Sequence, residues 1–220
     1  MGARFDRTPW QCARGILPAA ILVATLVTLA ACGQAGGTFS PTGPCLADGR
    51  GPGTYPDLEA VVPRSLEGRT ATSVDSGRKC SDSALGSLTT HGVTDLRFAG
   101  AVWSGGSDAG TSIAVLALPT GTLPVAWAEE FYGFGAVTGK KTDNIATSRP
   151  SFDGVGETFR IDALNDLSFQ SVVVWQDGPL VRVVIVATAV DPGASKTAHD
   201  AQIASAVAAA AGVQVVPSPA

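Results

Sequence analysis

The chain has 220 residues, a formal charge of −4 and only 15% charged residues, against roughly 25% in an average soluble domain. The acidic balance excludes general nucleic-acid binding, which needs a basic footprint. The 45% hydrophobic content excludes a wholly disordered chain. Twenty-six Gly and 14 Pro make it rich in loops. Mean hydropathy is +0.24, high for an exported domain, so the location of that apolarity is the first question.

Much of it lies at the start. Arg4, Arg7 and Arg14 face a single Asp6, and Ile16 to Ala30 carries no charge. A positive flank followed by a short apolar run has the form of a secretory signal. The run has 15 residues, short of the roughly 20 a spanning helix needs, and Pro18 inside it opposes a membrane helix. It ends in Leu29-Ala30-Ala31-Cys32. This tetrad resembles the lipobox of bacterial lipoproteins, a likeness confined to residues 1–32. The resemblance implies cleavage before Cys32 and acyl chains on its sulfur. Two or more such chains hold a protein firmly on a bilayer. It places the protein outside the cytoplasm, on the outer face of the cell membrane or on the outer membrane of a two-membrane host. Gly33 carries no retention signal that would choose between them.

Removing residues 1–31 removes three Arg and one Asp and leaves the remainder at −6. Residues 32–44 are rich in Gly, Ser, Thr and Pro and read as a flexible tether. A single exported domain is expected over 45–216, with a short tail at 217–220. With Cys12 removed and Cys32 lipidated, Cys45 and Cys80 are the remaining pair. Export favours their oxidation to a disulfide. A redox pair or a metal site is the alternative, but there is no Cys-x-x-Cys and no His nearby in sequence.

Periodicity then sets the expected elements. A short helix over 57–62 is followed by a strand over 69–74. A weak helix over 82–90 has Ser81 as cap and Gly92 past its end. Strands are expected at 96–103 and 112–118, and a helix at 123–137 with Thr122 as cap and Pro124 early. Residues 140–151 read as a polar loop, and 158–161 as a strand. Strands at 169–175 and 180–189 flank the clearest hairpin turn, Gln176-Asp177-Gly178-Pro179. An Ala-rich helix over 197–211 stops at Gly212. The expected class is α+β: an antiparallel sheet of about five or six strands with helices packed on it. Trp103 and Trp175 each precede a turn, a strand and a helix, which raises the idea of a duplicated hairpin-helix unit with helices on one face. The valine runs at 172–174 and 183–186 read as central strands covered on both faces, or as a face that binds something.

Chemistry-bearing motifs are sparse. His91 and His199 are far apart and Asp75, Asp82, Asp95 and Asp108 lack calcium-loop spacing, so no metal or cofactor is expected. There is no G-x-S-x-G elbow. Ser76 to Lys79, Thr142 to Asn144 and Lys196 to Ala198 echo the three motifs of penicillin-recognising enzymes. Their settings are wrong: Lys79 abuts Cys80, and the third motif lacks its Gly. Gly139-Lys140-Lys141-Thr142 misses a phosphate loop, with Phe134 and Lys141 where Gly and Ser or Thr belong.

Beside a purely structural or assembly lipoprotein, two readings of function remain. The first is a membrane-anchored, non-catalytic binding or interaction domain. Its partner is an envelope protein or a small apolar ligand, taken in a groove of Trp103, Trp127, Glu129, Tyr132 and Trp175. Such aromatics more often form a core. The second is a small envelope hydrolase with acids such as Glu129 or Asp162.

Overall fold

The structure, a computed structural model, describes residues 37–106, 109–139, 143–164, 168–190 and 195–212. The segment 1–31 expected to be a signal, Cys12, Cys32, Asp108, Lys140 to Thr142 and the tail 217–220 lie outside the described residues. In chain order the strands are β1 (Gly49–Gly51), β2 (Ser65–Leu66), β3 (Arg69–Thr70), β4 (Ser73–Lys79), β5 (Leu96–Ser104) and β6 (Gly110–Ala117). They continue as β7 (Asp143–Ser148), β8 (Ser151–Phe152), β9 (Gly156–Glu157), β10 (Phe159–Leu164), β11 (Ser168–Asp177) and β12 (Leu180–Ala189). The helices are α1 (Pro56–Ala60), α2 (Asp82–Leu85, running into a 3-10 turn at Gly86–His91), α3 (Val125–Thr138) and α4 (Lys196–Ala211).

One sheet dominates, in the order β1-β4-β5-β6-β12-β11-β10-β7, antiparallel throughout. This corrects the expected α+β class with five or six strands: the chain is mostly β, with eight strands in the main sheet and two small two-stranded sheets beside it. The extra strands escaped the hydrophobic pattern because they have little of it. The 143–148 segment, read as loop, is edge strand β7, with exposed side chains at 144–148 and backbone pairing to β10. Backbone hydrogen bonds recruit such an edge whatever its side chains.

The valine runs sit at the centre, as their composition requires. Val183, Val184 and Val186 are fully buried, each worth about 1.5–3 kcal/mol of transfer free energy. Alternation along the strands sends residues to two separate cores. Trp103, Val115, Val173, Trp175 and Val184 pack on one face with Ile203, Ala206, Val207 and Ala210 of α4. Phe98, Leu116, Val172, Val174 and Val183 pack on the other with Ala128 and Ala136 of α3 and Leu85 and Leu88. The small Ala side chains let α4 approach the valine surface closely.

The duplicated-unit idea is also corrected. A rotation that exchanges the halves across the antiparallel β6–β12 seam keeps each residue on its own face of the sheet. The two tryptophans keep it, but α3 and α4 lie on opposite faces.

Helix ends differ in detail from expectation. Pro124, not Thr122, occupies the N-cap of α3, and Gln176 Oε1 accepts from the Val125 N–H at 2.9 Å. Ser81 sits at the α2 N-cap but makes no cap bond. Asp48 takes the neighbouring Cys80 and Ser81 N–H groups instead, at 2.5 and 3.0 Å. Ser195 caps α4 through the Ala198 N–H at 3.1 Å.

Cys45 and Cys80 form a disulfide. Beside it, Arg78 is 2% exposed. Its guanidinium donates to the carbonyls of Ser40, Pro41 and Gly43 at 2.9–3.3 Å, its Nε donates to Cys45 Sγ, and it pairs with Asp95. Tyr55 Oη donates to Pro41 O at 3.1 Å. Residues 40–45, tether-like in composition, are thus fastened to the domain by charge-assisted bonds.

Candidate functional site

The densest group of chemistry-bearing side chains lies between α4 and one end of the sheet. Asp162 on β10 and Ser171 on β11 are cross-strand partners, so their side chains share a face. Thr188 on β12 and Thr111 on β6 alternate onto that face too. The first turn of α4 lowers His199 onto them. His199 Nε2 lies 2.8 Å from Ser171 Oγ, and its Nδ1 lies 2.7 Å from Thr188 Oγ1. Ser171 Oγ donates to Asp162 Oδ1. Arg160 bonds Asp162 at 2.8 Å and Asp200 at 2.6 Å, and Lys196 closes on Asp200. Gln202 extends the chain of bonds to Thr111 at 3.1 Å.

A serine, a histidine and an aspartate in contact raise the question of nucleophilic hydrolysis. In a working triad the imidazole stands between nucleophile and carboxylate, one nitrogen to each. Here the serine stands in the middle. A hydroxyl has one proton, and Ser171 gives it to Asp162. A hydroxyl meets each ring nitrogen of His199, Ser171 Oγ at Nε2 and Thr188 Oγ1 at Nδ1, and Thr188 Oγ1 also donates to Gln202 Oε1 at 3.2 Å. Burial, followed by the Arg160 charge, holds the His199 pKa below its ordinary value, which keeps it neutral. His199 and Ser171 are each 2% exposed. The arrangement ties helix to sheet and satisfies buried polar groups.

The opposite face carries the aromatic and acidic side chains that sequence singled out on α3. Trp127 stacks on His91, centroids 4.6 Å apart, and His91 Nε2 is 2.7 Å from Glu130 Oε2. Glu129 takes a two-pronged bond from Arg149 at 3.2 and 2.6 Å, and Arg149 also lies over the Phe159 ring. Tyr132 points its hydroxyl into the core, where it has no hydrogen-bond partner, and burial raises its pKa above the ordinary tyrosine value. Trp103 and Trp175 belong to the core on the α4 face, with the Trp103 indole N–H donating to Arg69 O at 3.0 Å. The sheet thus separates Trp103 and Trp175 from Trp127, Glu129 and Tyr132, and the five do not line one groove. One small concavity of about 20 Å³, room for a single water-sized group, opens on the α3 face among Arg50, Asp75, Phe98, Gly100, Val102, Ser112 and Ala114.

Sequence reasoning left Ser171, Thr188 and Gln202 unnoticed. Their only signal was polarity at alternate positions of otherwise apolar strands, and at one helix position facing them. Among the described residues no three His, Cys, Asp or Glu side chains are grouped to hold a metal ion. No helix among them is long and apolar enough to cross a membrane.

No family model, curated protein or solved structure matches this chain.

Proposed function

We propose that the chain is an exported lipoprotein, held on a membrane by acyl chains on Cys32, whose folded part is a non-catalytic binding or interaction domain. The observation that carries the exported part is the Cys45–Cys80 disulfide, since such bonds persist in oxidising compartments. It begins only 13 positions after the lipobox cysteine. The binding part is supported by how the reactive side chains are used. Asp162, Ser171 and His199 are spent on one another under α4, and Glu129 is spent on Arg149. On the outward side of α3, Phe134 and Val137 are 59% and 71% exposed and stand one turn apart. They offer an apolar contact to an envelope protein or a small apolar ligand.

Membrane fractionation of wild-type protein and Cys32→Ser tests the anchor. The expected result is attachment of the first and release, or failure of processing, of the second. Unchanged processing and attachment of Cys32→Ser would refute it. Photo-cross-linking from position 134 tests the binding face. A discrete adduct that Val137→Asp abolishes is expected, and an adduct pattern indifferent to Val137 counts against that face.

A further inference from the structure

The chain leaves the domain toward Cys32 at a defined place. Gly37 lies directly against Leu46: a Cβ on Gly37 would stand 2.7 Å from Leu46 O and 2.9 Å from Leu46 Cβ. The Phe39 ring occupies the space where a Cβ on Gly49 would be, 2.1 Å from its nearest atom. With the Arg78 bonds to 40–43 and the disulfide at Cys45, the segment from Gly37 onward is a collar on the domain. Only Gly33 to Gly36 separate it from Cys32. Five backbone steps reach at most about 17 Å. A domain of this size is roughly 40 Å across. A lipid on Cys32 therefore cannot let the domain turn over, and the collar end always faces the bilayer.

Leu46 is the side chain beside that exit point, and it is 67% exposed. We propose that Leu46 is a second membrane contact, entering the interface of a phospholipid bilayer and holding the domain on it in one orientation. The inference rests on the lipid-anchor reading above. Leu46 by itself is too small to bind a membrane. At the end of a short tether it acts at high effective concentration, so a weak contact is enough.

Hydrogen exchange on the lipidated full chain, in vesicles of phosphatidylcholine and phosphatidylglycerol, tests this against the soluble Cys32→Ser protein. Exchange over 37–50 is expected to slow severalfold on vesicles, with 134–138 unchanged. Leu46→Asp should lose the slowing while still pelleting with the vesicles, and Leu46→Phe should keep it. The exposed position should leave the thermal midpoint of Leu46→Asp unchanged, which separates loss of contact from misfolding. Equal exchange over 37–50 in the lipidated and soluble proteins, or slowing that survives in Leu46→Asp, overturns the contact. Wild-type chain left in the supernatant overturns the anchor itself, and the contact falls with it.

Discussion

His199 Nε2 stands 2.8 Å from Ser171 Oγ, while the Ser171 proton is held by Asp162. The order of these three groups decides what they do. With the carboxylate on the serine and a hydroxyl on each ring nitrogen, the imidazole is a strut between helix and sheet. Its pH behaviour follows from its surroundings, which include Arg160, Asp162, Asp200 and Lys196.

Burial, then the Arg160 charge, keeps the folded His199 pKa below the ordinary value. The unfolded chain therefore takes up the proton first. The stability this group contributes is complete above about pH 6.5 and falls as the pH drops from there toward the folded pKa. Urea midpoints measured across that window should decline for the wild type and stay level for His199→Gln. A decline unchanged by the substitution would remove His199 as its origin.

The disulfide closes a loop of sequence separation 35. On the chain-entropy account it stabilises the domain by roughly 3–4 kcal/mol. The Cys45→Ser, Cys80→Ser double variant should unfold at correspondingly lower denaturant, and reductant should add the mass of two hydrogen atoms to the wild type and nothing to the variant.

Arg78 is the pin of the collar. Arg78→Met strips Asp95 of its cation and the 40–43 carbonyls of their donor. Loss of one partner of such a buried pair costs roughly 3–5 kcal/mol. Denaturation should report that loss, and limited proteolysis should cut within 37–48 before the rest of the fold. Cleavage elsewhere first would contradict the clamp.

Three glycines separate room from contact. A Cβ at Gly133 or Gly135 of α3 meets nothing within 4 Å, so alanine at each should stabilise by about 0.5–1 kcal/mol. A Cβ at Gly77 would stand 2.3 Å from Gly49 O and 2.8 Å from Arg50 Cα. Those are backbone atoms, so Gly77→Ala must part β1 from β4 at a cost of roughly 1–3 kcal/mol. Thermal midpoints that move the same way at all three positions would contradict this.

The strong patterns were readable along the chain. The hairpin at Gln176–Pro179, the valine strands beside it, and the helix ending near Gly212 appear where periodicity placed them. The weak ones were not. Strand β7 and the polar strand β4 have no apolar alternation to reveal them, because their partners bond the backbone. The candidate site was less legible than the fold. Trp103 and Trp127 look alike in sequence, and only strand parity and helix placement put them on opposite faces.

Composition and local spacing alone determined the apolar, signal-like start and the central valine strands, since each depends on neighbours in sequence. Low charge beside high apolarity turned out to reflect a signal-like run plus a sheet buried on two faces. The tertiary structure decided the rest. It showed that the tether-like segment from Ser40 to Gly43 is gripped by Arg78, and that a serine, histidine and aspartate from three elements meet with the serine between the other two. Those outcomes depend on which long-range partner claims a donor or an acceptor, and that is settled only when the strands take their register.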